Sequence, residues 1–465
     1  MAAKNCFVWG TTMNRRDMLK TLPLLGAGMA AVSPQAATKP QIARPLCLDY
    51  VNGIRQGIKK IRDTQMDRLH EASAAIARTK KAGGTCFYQW ETDHTIEGDM
   101  FPGRHGDTDL FVMGYTMGNP TVQPKAGDLL LVNVIRSPLE DPRAKGIFVI
   151  GGPNPWCADT GQYDQLTEAN RKLKIREYSD IWIELHYTPY GALIPLPGEM
   201  VPLGPTPGAY GMVTCWAMVA DAVRLLARDG IPVAVKGDEP SLGKNEEYVR
   251  LDRPLAERYF AASLRRIGRI GDELDTITCI AAEATDRILA GGKLYVYSRN
   301  REALSAEANQ RRGGLALINA TWAEDTKFEG TNRDFMIMGI TQPEDPVDLA
   351  MLDRFRGAGM KIAAIGPATR DGRKPSVRTV PGEADHQLGR MCDTYGLFAV
   401  PGLERKISPV SGLLVNVMFW TVAVRIAEEI LARTGNAPGV LSTGAVVGGA
   451  EQRARKLELV KTRGY

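Results

Sequence analysis

Two segments far apart in the chain follow one template. AGGTCFYQWETDHTIEGDMFPGRHG (82–106) and AGGKLYVYSRNREALSAEANQRRGG (290–314) align without a gap. Gly83 and Gly84 stand opposite Gly291 and Gly292, and Arg104 and Gly106 opposite Arg312 and Gly314. The series continues in order. Asp128 and Asp334 each precede a second apolar run, and GPTPG (204–208) and SPVSG (408–412) each precede a long helix. Chance explains one shared glycine pair but explains an ordered series badly. A repeat of this length restricts the fold to two copies of one domain, joined near 245–255. At 465 residues the chain is also too long for one ordinary core.

Each copy alternates helix and strand. Residues 53–80 place Ile54, Ile58, Ile61, Leu69 and Ala74 at helical spacing and predict one long helix. Strands follow at KKAGGTCFYQW, KAGDLLLVNVI (125–135), KGIFVIGG (145–152) and DIWIELH (180–186), then a helix at about 211–228. The second copy predicts a helix over roughly 255–288 and strands at AGGKLYVYS, NRDFMIMGI (332–340), MKIAAIG (360–366) and YGLFAVPG (395–402). A long helix at about 412–433 closes it. Strands separated by crossover-length segments predict a mostly parallel sheet flanked by helices. The expected class is α/β, with one domain over 50–250 and another over 255–460.

The amino-terminal stretch NRRDMLKTLPLLGAGMAAV (14–32) pairs Arg15 with Arg16 and runs through a modest apolar segment into small residues. It resembles a twin-arginine (Tat) export signal, with Met18, Leu19 and Lys20 in that pattern. Residues 1–37 are assigned to the signal, and a start at Met13 stays open. The resemblance implies the Tat machinery as a partner and a periplasmic or other extracytoplasmic address. The apolar part is short and interrupted by Pro23, so it is a poor membrane span, and no other segment looks membrane-spanning. A formal charge of +5, thinly spread and without a basic block, argues against nucleic acid. Seven cysteines without a CxxC pair suggest neither a zinc cluster nor a disulfide scaffold. Outside the leader they read mostly as inert core thiols.

The glycine pair, strand, polar loop and Glu-bearing helix of 290–314, closing on Arg312, Gly313 and Gly314, resemble the sugar isomerase (SIS) fold. The likeness is to its phosphosugar-binding branch, where a GP(T/S)S-like segment opens the last helix, as GPTPG and SPVSG do here. A Pro- and Gly-containing tail follows that helix in both copies, at 231–248 and 437–452. The resemblance covers nearly all of 50–460 and implies two tandem SIS-like domains that bind a carbohydrate derivative. The chain departs from the family at the ligand loops. Where the family has a serine-rich loop to cradle a sugar phosphate, this chain has NVIRSP (133–138) and GITQPE (339–344). A neutral or acidic sugar derivative is then as well suited as a phosphosugar.

Ligands in open α/β sheets sit beyond the carboxyl ends of the strands. Aldose–ketose isomerisation needs a base near a carbon-bound proton and an acid for ring opening, roles suited to histidine and a tuned glutamate. The resemblance points to His94, Glu97 and Glu307 for these roles, with His386, in DHQLGR between the third and fourth strands, contributed by the second copy. His186, inside apolar DIWIELHY, reads rather as a core residue. Arg104, Arg136, Ser298, Arg299, Arg312 and Thr341 are ligand candidates at the strand ends. Thr206 and Ser411, before the last helices, resemble the family's hydroxyl positions.

No cofactor or metal is expected. The acids and histidine of 91–107 are too loosely patterned to name an ion, although they leave a metal-dependent lyase or hydrolase as one alternative. The other alternative is a non-catalytic carbohydrate-binding or structural protein. The leading expectation is an exported protein that binds a sugar or sugar derivative, with isomerase chemistry open. Such a chain could pair internally or again as a homodimer.

Overall fold

The computed structural model describes residues 45–89, 106–113, 124–133, 142–154, 166–172, 174–236, 242, 247–299, 304–309, 311–325, 328–368, 378–393 and 395–465. Helix α1 (Leu46–Lys81) starts at Pro45, earlier than the periodicity indicates, and buries Tyr50, Ile54, Ile58, Ile61, Leu69 and Ile76 along one side. Its glycines serve packing. At Gly57 a Cβ would lie 1.8 Å from the Tyr210 hydroxyl, so helix α2 (Pro207–Arg228) can approach closely only because no side chain is there. Helix α2 is long and apolar enough to cross a membrane, but nearly all of it is packed inside the protein.

The first sheet holds β1 (Cys86–Gln89), β2 (Phe111–Met113), β3 (Leu129–Val132), β4 (Phe148–Gly151) and β5 (Ile181–Trp182), all parallel, in the order β2-β1-β3-β4-β5. A hairpin of β6 (Ala192–Ile194) and β7 (Leu203–Pro205) then leads into α2. The second half opens with α3 (Ala256–Ile267) and α4 (Leu274–Leu289). Its sheet holds β8 (Leu294–Ser298), β9 (Ile318–Trp322), β10 (Phe335–Gly339), β11 (Lys361–Ile365) and β12 (His386–Leu388). Short α5 (Leu304–Ala308) follows β8, and α6 (Pro346–Gly357) follows β10. The order β9-β8-β10-β11-β12 repeats that of the first sheet. A hairpin of β13 (Gly396–Phe398) and β14 (Ile407–Pro409) precedes α7 (Ser411–Thr434), and α8 (Gly449–Arg463) ends the chain. The class is α/β as expected, with two helix-flanked parallel sheets.

The halves also repeat bond by bond. Asp128 accepts from the Thr85 and Lys125 N–H groups, both at 2.8 Å, and Asp334 accepts from those of Lys293 and Thr331, both at 2.7 Å. The Tyr50 hydroxyl donates to the Pro205 carbonyl at 3.0 Å, and that of Tyr259 to Pro409 at 2.8 Å. Two further contacts cross between halves. The Gly106 carbonyl accepts from Ser408 N–H at 3.2 Å, and the Gly313 carbonyl from Gly204 N–H at 2.9 Å. Gly106 and Gly313 both have positive φ (76° and 70°), and a Cβ on either would press on the other half's hairpin. Helices from both halves share one core that includes Trp216 and Trp420.

Several expectations change. The helix predicted over 255–288 is two, broken by Gly268, Gly271 and a 3-10 turn at Ile270–Glu273. DHQLGR supplies β12, the last strand of the second sheet, in place of YGLFAVPG, which supplies β13 of the hairpin. The edge strands β2 and β9 are too short or too polar to stand out. Gly106 shares its role with Gly313, so the gapless match slips by one residue and Arg104 answers to Arg311. Cys279 is exposed, unlike the buried Cys47, Cys86 and Cys215.

Candidate functional site

At the carboxyl end of the second sheet, β8 delivers Ser298 and β10 delivers Gly339 side by side. Ser298 is buried. Its Oγ accepts from Ser305 N–H at 2.8 Å and lies 2.7 Å from the Ser305 hydroxyl, which ties α5 across the strand ends. Leu304 fills the space above Gly339, where a Cβ would stand 2.5 Å from its Cδ2. Arg299 pairs with Asp345, the N-cap of α6, whose carboxylate accepts from the Val347 and Asp348 N–H groups at 2.8 and 3.1 Å. A helix start that attracts anions therefore already holds one. Thr341 is half-buried nearby. Beneath, on the other face, Tyr297 donates to Asp348 at 2.8 Å, and burial pushes that carboxyl up to about 6.

Glu307 is wholly buried. It pairs with Arg311 at 2.9 Å and accepts from the Trp420 indole at 3.2 Å. A buried carboxylate that pairs with a guanidinium and accepts from an indole has the geometry of a structural pair. The adjacent Arg312 is half-buried, and it is Arg311 that meets Glu307. Thr206 is buried with its hydroxyl donating to the Gly191 carbonyl at 3.2 Å, and Ser411 is buried as the first residue of α7. His386 opens β12 at the amino end of the sheet, where its Nε2 lies 2.7 Å from Glu283 of α4. Glu307 and His386 are therefore not brought together. His94, Glu97, Arg104 and Arg136 lie outside the described residues, as does most of the 91–107 cluster. Among the described residues no His, Cys, Asp and Glu group is arranged to hold a metal ion.

The first sheet offers a different arrangement. After β5 the chain runs through Glu184 to His186, which has φ of 52° and so leaves the strand direction. The Trp182 indole donates to Glu184 at 3.3 Å, and His186 N–H donates to its other oxygen at 3.1 Å. Glu184 N–H donates to the Gln65 side chain of α1 at 2.9 Å. His186 Nε2 lies 2.7 Å from the Thr64 hydroxyl, which itself donates to the Lys60 carbonyl at 2.7 Å. With the Thr64 proton directed at the Lys60 carbonyl, Nε2 carries the hydrogen of this contact. The lone pair of neutral His186 is then on Nδ1, for which the described residues show no partner. Partial burial and then Lys60 hold the imidazole pKa below its ordinary value, which keeps the ring neutral near pH 7.

Sequence reading passed over this pair because apolar neighbours made His186 look like core. Nothing in the residues around it announces the positive φ. The pairing with Thr64 joins α1 to β5 across 122 positions and has no local signal.

No protein-family model matches the sequence. The chain is similar to a UPF0309 protein of Streptomyces griseus subsp. griseus, 21% identical over 245 residues, which span 46% of this chain and 97% of that one. Among solved structures it is similar to the C-terminal domain of glucosamine-fructose-6-phosphate aminotransferase from Francisella tularensis. That match has a TM-score of 0.43 and 10% identity, covering 86% of this chain and 99% of the other. Glucosamine-6-phosphate deaminase from Thermotoga maritima matches with a TM-score of 0.39 and 9% identity, covering 84% and 96%. Likenesses this remote leave the site to be judged on its own residues.

Proposed function

We propose that this chain is a tandem pair of SIS-like domains that binds a small sugar or sugar derivative beside Glu184 and His186 and isomerises it in the aldose–ketose manner. The observation that carries the reading is the state of His186. Its ring contacts Thr64 through Nε2, its pKa is held below the ordinary value, and its Nδ1 has no partner among the described residues at the carboxyl edge of the first sheet. Such a group takes the proton from the carbon beside a carbonyl and returns it to the former carbonyl carbon, while the hydroxyl proton of the first carbon passes to the old carbonyl oxygen. Glu184, oriented by Trp182, suits a sugar hydroxyl. Asp345 at the start of α6 argues against a phosphate there. The paired Arg15 and Arg16 support an extracytoplasmic address.

The test has two parts. Thermal shift with free sugars, sugar acids and sugar phosphates identifies the class that stabilises the protein. Exchange of the sugar's carbon-bound proton with deuterated solvent then reports the chemistry. His186→Gln should melt as the parent does and lose exchange by roughly 10²- to 10⁴-fold. Equal exchange rates in the two proteins would sink the proposal. Binding without exchange in the parent would instead favour recognition without catalysis, the reading suited to Glu307, which is neutralised in the second half.

A further inference from the structure

Beyond the carboxyl end of β12, in the second half, lies a cavity of about 230 Å³ lined by Arg265, Arg266, Arg269, Arg390, Met391 and Asp393. One wall is the end of α3 and the turn after it; the other is the segment that leaves β12. The walls are tied by buried Glu273, whose carboxylate accepts from Gly389 N–H and Arg390 N–H, both at 3.0 Å. Arg266 pairs with Asp393, and Arg269 reaches Asp272 at 3.5 Å. Arg265 and Arg390 have no acidic partner among the described residues.

Cations at a helix carboxyl end are ordinary complements of its dipole, and that accounts for Arg265 and Arg266 taken alone. It does not account for Arg390, which is exposed and comes from the opposite wall of the same half-open space. Guanidinium groups converging from two walls repel one another unless an anion lies between them, and their planar forks match the oxygens of phosphate. The surplus of positive charge suits a dianion. The volume, about seven or eight waters' worth at the liquid density, leaves room for a short organic body against Met391.

We infer that this cavity is a binding site for a phosphate monoester, separate from the Glu184–His186 site and independent of the reading proposed for it. The site lies apart from the start of α6, where Asp345 fits phosphate poorly.

Calorimetry on the full chain with glycerol 3-phosphate, inorganic phosphate and malonate, at matched ionic strength, tests this. Glycerol 3-phosphate and inorganic phosphate should bind, with malonate about tenfold weaker or more. Arg265→Ala/Arg390→Ala should weaken phosphate binding by about tenfold or more and leave the melting temperature unchanged without ligand. Arg265→Lys/Arg390→Lys keeps the charge but loses the forks, so it should fall between, and it decides the matter if the alanine variant does not fold. His186→Gln should bind phosphate as the parent does, which separates this site from the other. Absence of phosphate binding, equal affinity for malonate, or variants that bind like the parent would each overturn the inference.

Discussion

Glu307 and His186 show how far a residue's neighbours in sequence reveal its work. Glu307 stands out as a motif glutamate, yet Arg311 and Trp420 surround it in the core. A one-residue slip in the repeat hid that partner, because Arg312 held the matched position. His186 sits in an apolar run and reads as buried, but its positive φ turns it to the sheet edge. Conformation at a single residue and contacts across distant elements are the properties a linear pattern carries least. If the pair of Glu307 and Arg311 is structural, Glu307→Gln leaves a buried guanidinium without its counter-charge and should cost about 3 kcal/mol in urea unfolding. Replacing both together, Glu307→Leu with Arg311→Met, should recover most of that loss. A Glu307→Gln protein of parental stability that has lost its activity would instead restore this residue to the chemistry.

Among elements, those with a strong period were legible and those defined by pairing were not. The long helices and the inner strands stand out by burial pattern, whereas β2, β9 and the hairpins owe their existence to neighbours. The junction of α1, α2 and α3 is of the second kind. His70 of α1 lies 2.8 Å from Asp221 of α2 and 2.8 Å from Glu257 of α3, while Asp221 also accepts from Arg224 at 2.7 Å and from Leu255 N–H at 2.8 Å. The hydrogen bond to Asp221 raises the His70 pKa to about 9, burial opposing it and Glu257 adding to it. A histidine whose folded pKa is raised stabilises the fold fully below its ordinary value of 6.5, and that contribution is lost as pH rises through about 9. The melting temperature of the parent should therefore fall more steeply between pH 7 and pH 10 than that of His70→Gln. Parallel curves for the two proteins would show that the clamp does not titrate.

For the whole molecule, the repeat was the most informative part of the sequence, because an ordered series of glycines and aspartates fixes turns whose geometry both halves need. Asp128 and Asp334 hold the same turn in each sheet, and the strand orders agree. The repeat could not show which end of each strand a histidine reaches, since that depends on where a short edge strand begins. The proposed twin-arginine leader belongs to this scale too, because that route carries a chain that has already folded. Replacing Arg15 and Arg16 by lysines should retain the protein inside the cytoplasm of a Tat-competent host, as measured by fractionation. Equal export of both forms would refute the twin-arginine reading.

The two crossed glycine contacts carry a consequence for how this chain can change over time. Gly106 lends its carbonyl to the hairpin of the second half, and Gly313 lends its own to the hairpin of the first. Each half is therefore finished by the other, like two hands clasped. Either half can drift in its loops while these two contacts stay in place. Neither can be discarded, because the one that remained would lose the grip that completes its own hairpin.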